Sequence, residues 1–169
     1  LRNWPELVQI KKYGNPKFEI LDLGCGLAHL NEYLIKNRFE VDYTGVDINE
    51  KFIELNTTKF PFQKFFLSNA NELFQSADFI FASGLFNRRF SDSETFFRQT
   101  VKNIINKSRV GCSFNCLSTT ATSKNLHNYY VSMKQIEQLL DRNIVEYFNI
   151  DGQSVPGEIT VHIKKISGT

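Results

Sequence analysis

Small residues alternate behind an acid in Asp22-Leu23-Gly24-Cys25-Gly26-Leu27-Ala28. Two glycines one residue apart let a chain turn tightly and bring bare backbone up to a ligand, and Ala28 allows a following helix to pack close to the preceding strand. A dinucleotide-binding loop, G-x-G-x-x-G/A, needs a small residue at position 29. That residue is His29, so the spacing argues against a nicotinamide cofactor. A second acid, Asp47, ends the segment Tyr43-Thr44-Gly45-Val46-Asp47, 21 positions after Gly26. A carboxylate there can accept both hydroxyls of a ribose in paired charge-assisted hydrogen bonds, with Ile48 against an adenine face. The plainer role for Asp47 is to cap a helix beside Asn49.

Further along, Ser68-Asn69-Ala70 offers the neutral acceptor oxygen of Asn69 or a simple turn. Ser83 and Gly84 bring backbone close to a ligand or form an ordinary turn, and Asn87 is placed to hold an acceptor group or to sit in solvent. His127, Tyr129 and Tyr130 close a polar segment, 118–130, and either line a substrate pocket or anchor the loop. Arg88 and Arg89 suit a phosphate or acidic group as well as a solvated pair. Cys112 and Cys116 occupy the first two positions of C-x3-C-x2-C, but the third position is Thr119. They lie in a predicted strand and read as core residues. Cys25 should point its side chain into the core while its backbone touches the ligand. His29, His127 and His162 have no ligand spacing among themselves or with cysteine, so no metal is expected.

The elements that must position these residues follow from periodicity. Apolar runs at Phe18–Leu23, 43–46, 62–67, Ala77–Ala82, 111–117, 144–150 and 158–163 read as seven strands. Leu27, Leu30 and Leu34 mark a helix after the first strand. Asn49 caps another that stops before Pro61. Ser91 with Glu94, and Ser132 with Gln135, have the spacing of capping boxes ahead of two further helices. Helices between the earlier strands make those strands parallel. The short link 151–157 makes the last two antiparallel neighbours. The glycine loop then lies beyond the carboxyl end of the first strand, where open α/β sheets bind ligands.

The 169 residues suit one domain, 1–169, with an aromatic core drawn from 16 phenylalanines. A net charge of +2 with mixed signs gives no electrostatic reason for a nucleic-acid or membrane partner. Three cysteines without a framework argue against a disulfide-stapled secreted domain. No apolar run approaches the ~20 residues of a membrane span, and the polar segment 1–14, broken by Pro5, does not read as a signal peptide. A cytoplasmic setting is expected. The chain begins at Leu1, so an upstream segment belonging to a lid is an open expectation.

Taken together, D-x-G-x-G-x-A and the strand-ending Asp47 resemble the two signatures of class I, Rossmann-like methyltransferases that use S-adenosylmethionine. The resemblance implies a three-layer αβα fold with a mostly parallel seven-stranded sheet and an antiparallel last strand. It implies S-adenosylmethionine as cofactor and S-adenosylhomocysteine as product. It implies cofactor contacts from Asp22 (to the ammonium, directly or through water), Gly24, Cys25, Gly26, Asp47, Ile48, Asn69, Ala70, Ser83 and Gly84. Asn87, His127 and Tyr130 would then face the acceptor, with His127 available as a base for a hydroxyl. The acceptor is expected to be a small molecule, such as a sugar or a secondary-metabolite precursor, methylated on oxygen or nitrogen. There is no Asn/Asp-Pro-Pro-Tyr segment after the fourth strand and no Pro-Cys nucleophile, so no nucleic-acid substrate is expected. Two other readings compete: a catalytically silent binding module on the same fold, and an NAD(P)-dependent oxidoreductase.

Overall fold

Phe18–Leu23 is apolar on both of its faces, which a strand tolerates only in the middle of a covered sheet. A computed structural model, describing residues 17–72 and 75–166, puts it there. The strands are β1 (Phe18–Leu23), β2 (Val41–Asp47), β3 (Lys64–Leu67), β4 (Ala77–Ala82), β5 (Ser108–Ser118), β6 (Tyr130–Val131), β7 (Val145–Asp151) and β8 (Glu158–Lys165). Their order is β3-β2-β1-β4-β5-β8-β7, and all neighbours are parallel except β8, which runs against both β5 and β7. This is the expected seven-stranded sheet. The two-residue β6, which pairs with the end of β5, was not anticipated. The expected lack of a signal peptide in 1–14 lies outside the described residues.

Side-chain alternation divides the core between the two sheet faces. On one face Ile20, Tyr43, Phe79 and Phe81 meet Leu30 and Leu34 of helix α1 (His29–Lys36). Helix α2 (Glu50–Lys59) runs along β2 and β3, and Phe60 at its end stacks near Phe65. On the other face Leu21, Leu23, Ile80, Phe114 and Val161 meet Phe97, Val101 and Ile104 of α3 (Ser93–Lys107) and Ile136 of α4 (Met133–Glu137). Phe86 sits edge-on to Phe96, Phe97 and Phe114, a geometry favoured by the ring quadrupoles.

Three local expectations need correction. Leu27 is not helical: Ala28 has φ +56, so α1 begins at His29 and Leu27 is left 42% exposed. The Ser91–Glu94 capping box does not form. Asp92 occupies the N-cap, Glu94 pairs with Arg98 one turn on, and the Ser93 hydroxyl accepts from Phe90 N at 2.8 Å. Finally, no α-helix lies between β3 and β4 among the described residues, only a 3-10 turn at Ala70–Glu72. The Ser132–Gln135 box does form, and Asn49 caps α2 by accepting from Lys51 N. Among the described residues no helix is long and apolar enough to cross a membrane.

Candidate functional site

The glycine loop is locked to the end of β2. Gly24 N and Cys25 N both donate to Val46 O, at 2.8 and 3.0 Å. Gly26 N donates to Asp47 Oδ2 at 2.9 Å, and Asn49 N donates to Asp47 Oδ1 at 2.9 Å. Asp47 thus ties the loop after β1 to the start of α2 and stays half-buried. Gly24 and Gly26 have φ +68 and +51, a region that L side chains rarely enter. A Cβ on Gly26 would meet nothing within 4 Å, so its outer side is open. The Asn56 side chain, buried on α2, donates to Gly26 O at 2.7 Å and braces the turn from behind.

Beneath this loop Asp22 is buried and accepts from the Tyr43 hydroxyl at 2.7 Å. Burial pushes its carboxyl up to about 7, against the lowering effect of the Tyr43 hydrogen bond, and the Asp47 charge raises it further. The Tyr43 hydroxyl is pushed upward by burial and by the Asp22 charge. Cys25 is buried, and burial together with the two carboxylates raises its thiol, so it remains protonated and unreactive.

Above the loop a cleft of about 880 Å³ opens at the carboxyl ends of β1, β2, β3 and β4. Gly24, Gly26, Asp47, Ile48, Asn69, Ala70, Ser83 and Gly84 all line it. Ile48 is 73% exposed, an apolar surface presented to the cleft. Asn69 serves a turn as well, because its Oδ1 accepts from Asn71 N at 3.1 Å. Gly84, at φ +76, donates its N–H to Asn115 Oδ1 at 2.6 Å.

Two expected cofactor residues do not line this cleft. Asp22 faces Tyr43 below the loop, and Cys25 turns its Sγ toward Gly45 and Asn56 while its N–H is spent on Val46. The three expected acceptor residues do not line it either. The segment after β5 folds back on the β4–α3 loop through an Arg88–Asn128 bridge and the bonds Arg89 N to His127 O and Tyr129 N to Asn87 O. His127 is left exposed, and the Tyr130 hydroxyl accepts from Asn125 N at 2.7 Å. Asn87 Oδ1 is buried without a hydrogen bond. Cys112 and Cys116 are core residues, and burial raises the Cys116 thiol to about 12. His162 is buried against Ser113 Oγ at 2.8 Å from Nδ1.

Apart from Arg88, one wall of the cleft was not expected from the sequence. Arg88 and Phe90 from the β4–α3 loop, with Asp92, Thr95, Phe96 and Gln99 along α3, also line the cleft. The last four stand at i, i+3, i+4 and i+7, a second stripe beside the core stripe of Phe97, Val101 and Ile104, and that period was available in the sequence.

Comparison with known proteins agrees with this geometry. The profile of a methyltransferase-domain family matches residues 21–106. The Mycobacterium tuberculosis protein Rv1506c, named as a methyltransferase, is 28% identical over 161 residues, covering 89% of this chain and 95% of that protein. Among solved structures, magnesium protoporphyrin IX methyltransferase from Synechocystis with bound S-adenosylhomocysteine superposes with a TM-score of 0.74 at 13% identity, over 96% of this chain and 81% of that one. The plantazolicin methyltransferase BamL, in complex with a desmethyl analogue and S-adenosylhomocysteine, gives 0.65 at 16% identity over 91% and 79%. The matched segment contains the glycine loop, Asp47 and all of α3 but its last residue. The chain belongs to the class I, Rossmann-like S-adenosylmethionine-dependent methyltransferases.

Proposed function

We propose that this methyltransferase acts on an oxygen or nitrogen atom of a small polar molecule, with the donor held over the glycine loop. The observation that carries the reading is the convergence of four strand ends on one cleft, where a bare glycine turn is hydrogen-bonded to a half-buried carboxylate. S-adenosylmethionine supplies, when bound, an electrophilic methyl carbon, and the protein's contribution to such a displacement is position and electrostatics.

The residues present fit that donor. Each Asp47 oxygen takes one backbone N–H and keeps a lone pair for a ribose hydroxyl. Ile48 offers an apolar face and Asn69 an amide for an adenine ring. The open side of Gly26 admits close approach of an amino-acid moiety, and Asp22 stands below the loop, bonded to the Tyr43 hydroxyl. The acceptor face we propose is the α3 wall. Arg88, Thr95 and Gln99 supply polar contacts there, and Asp92 is the cleft carboxylate left to take a proton once Asp47 is committed to the ribose. Two solved neighbours are named for their acceptors, magnesium protoporphyrin IX and plantazolicin, and neither name is that of a nucleic acid.

Isothermal titration with S-adenosylmethionine and S-adenosylhomocysteine tests the reading. Micromolar binding of both is expected, with Asp47→Ala weakening each by about tenfold or more. Absence of binding by folded protein would overturn it, and unchanged affinity in the variant would remove the ribose role of Asp47.

A further inference from the structure

The β4–β5 ladder runs as far as Ala82 opposite Phe114. Beyond it β4 turns away at Ser83 and Gly84 into the cleft wall, while β5 continues and pairs with β8. Past the end of the ladder, Gly84 N–H is taken by a side chain of β5 instead of a backbone carbonyl. Asn115 Oδ1 takes it at 2.6 Å. The same amide donates its Nδ2 to Glu158 Oε2 at 3.1 Å, from the first residue of β8. Glu158 follows Gly157, whose φ is +81 and whose carbonyl accepts Ser118 N at 2.8 Å, so its own backbone is pinned. A side-chain relay therefore reaches from β8 across β5 to one backbone N–H of the cleft.

We propose that Asn115 is a positioning residue for the methyl-donor site, held in its working rotamer by Glu158. Carboxylate acceptance fixes which end of the Asn115 amide faces Gly84, because only the Nδ2 end can donate to Glu158. The oxygen end is then presented to the Gly84 N–H, which holds the Ser83–Gly84 turn at its positive φ. The turn lines the cleft from the end of β4, and β1 separates it from the end of β2 that carries Asp47 and Ile48. Under the function proposed above, on which this inference rests, the relay governs the amino-acid half of the donor and leaves the nucleoside half alone.

The test separates those halves. S-adenosylhomocysteine carries both, and 5′-deoxy-5′-methylthioadenosine carries only the nucleoside. Asn115→Asp keeps the size of the side chain but sets two carboxylates against each other, so the side chain swings away from Gly84 N–H. It should weaken S-adenosylhomocysteine binding by about five- to tenfold at fixed pH and leave methylthioadenosine within twofold. The double variant Asn115→Asp with Glu158→Gln restores a donor–acceptor pair of the opposite sense and should recover most of the loss. Equal loss for both ligands, no loss for either, or a double variant worse than the single would each overturn the proposal. Exchange of the Gly84 amide proton gives a readout independent of any ligand. It should be protected in the native chain, exposed in Asn115→Asp and protected again in the double variant. A native chain that binds neither ligand but protects Gly84 would overturn the donor reading rather than the relay, whereas an unprotected Gly84 in the native chain would overturn the relay itself.

Discussion

Asp22 and Asp47 end adjacent parallel strands, and their surroundings set them to different work. Asp47 is half-buried with two backbone donors, whereas Asp22 is buried with one phenol, and its carboxyl is pushed up to about 7 chiefly by burial. A carboxyl that holds its proton more tightly folded than unfolded gives stability that is full below about pH 4 and drains away as pH rises through 7. Asn in place of Asp22 keeps an oxygen for the Tyr43 hydroxyl and buries no charge. Denaturant titrations from pH 4 to pH 8 should therefore show Asp22→Asn gaining on the parent as pH rises, by on the order of a few kcal/mol. A constant difference across that window would show that Asp22 ionises freely in the fold. The Asp47 position was legible because spacing behind a glycine loop is a one-dimensional signal. The Tyr43–Asp22 pair was not, because it depends on β1 and β2 aligning Ile20 with Tyr43 and Asp22 with Gly45, a register no local pattern encodes.

Elements were legible where burial alone decides them. The apolar run of β4 forms a strand as read, and the short hairpin link set β7 and β8 antiparallel. Capping signals were less decisive. Ser132 and Ser91 carry the same spacing to Gln135 and Glu94, yet only Ser132 caps a helix, accepting from Gln135 N at 3.3 Å while Gln135 Oε1 accepts from Ser132 N at 2.9 Å. At the other site the helix starts one residue later and Glu94 has Arg98 within reach. Ser132→Ala should cost about 1 kcal/mol in chemical denaturation, and Ser91→Ala should fall within about 0.5 kcal/mol of the parent. Equal costs would mean that the Ser91 hydroxyl supports α3 in solution. The polar segment 118–130 looked substrate-facing because it leaves the correct end of β5. Its bonds to Arg88, Arg89 and Asn87 turn it onto the neighbouring loop instead, and such loop-to-loop pairing leaves no periodic trace.

The described residues form one sheet with a core on each face, and β1 and β4 contribute buried side chains to both cores. The edges are thinner: β3 presents Phe66 and Leu67 about half exposed, and Tyr147 of β7 is 59% exposed. Opening free energies should follow that gradient. Amide exchange should be slowest at Leu21, Leu23, Ile80 and Phe81, and faster at β3 and β7. The four cleft-forming loops all hang from strand ends, and their strands, β3, β2, β1 and β4, are consecutive in the sheet. A ligand that bridges those ends couples loops that otherwise open one at a time. S-adenosylhomocysteine at a hundred times its dissociation constant adds about 2.7 kcal/mol to the folded state. The added protection should appear at Gly26, Asn49, Asn71 and Gly84, while β7, remote from the cleft, moves only with global unfolding. Slowing confined to β7, or shared evenly by every amide including those already exchanging through local fraying, would place the ligand elsewhere than over the glycine loop.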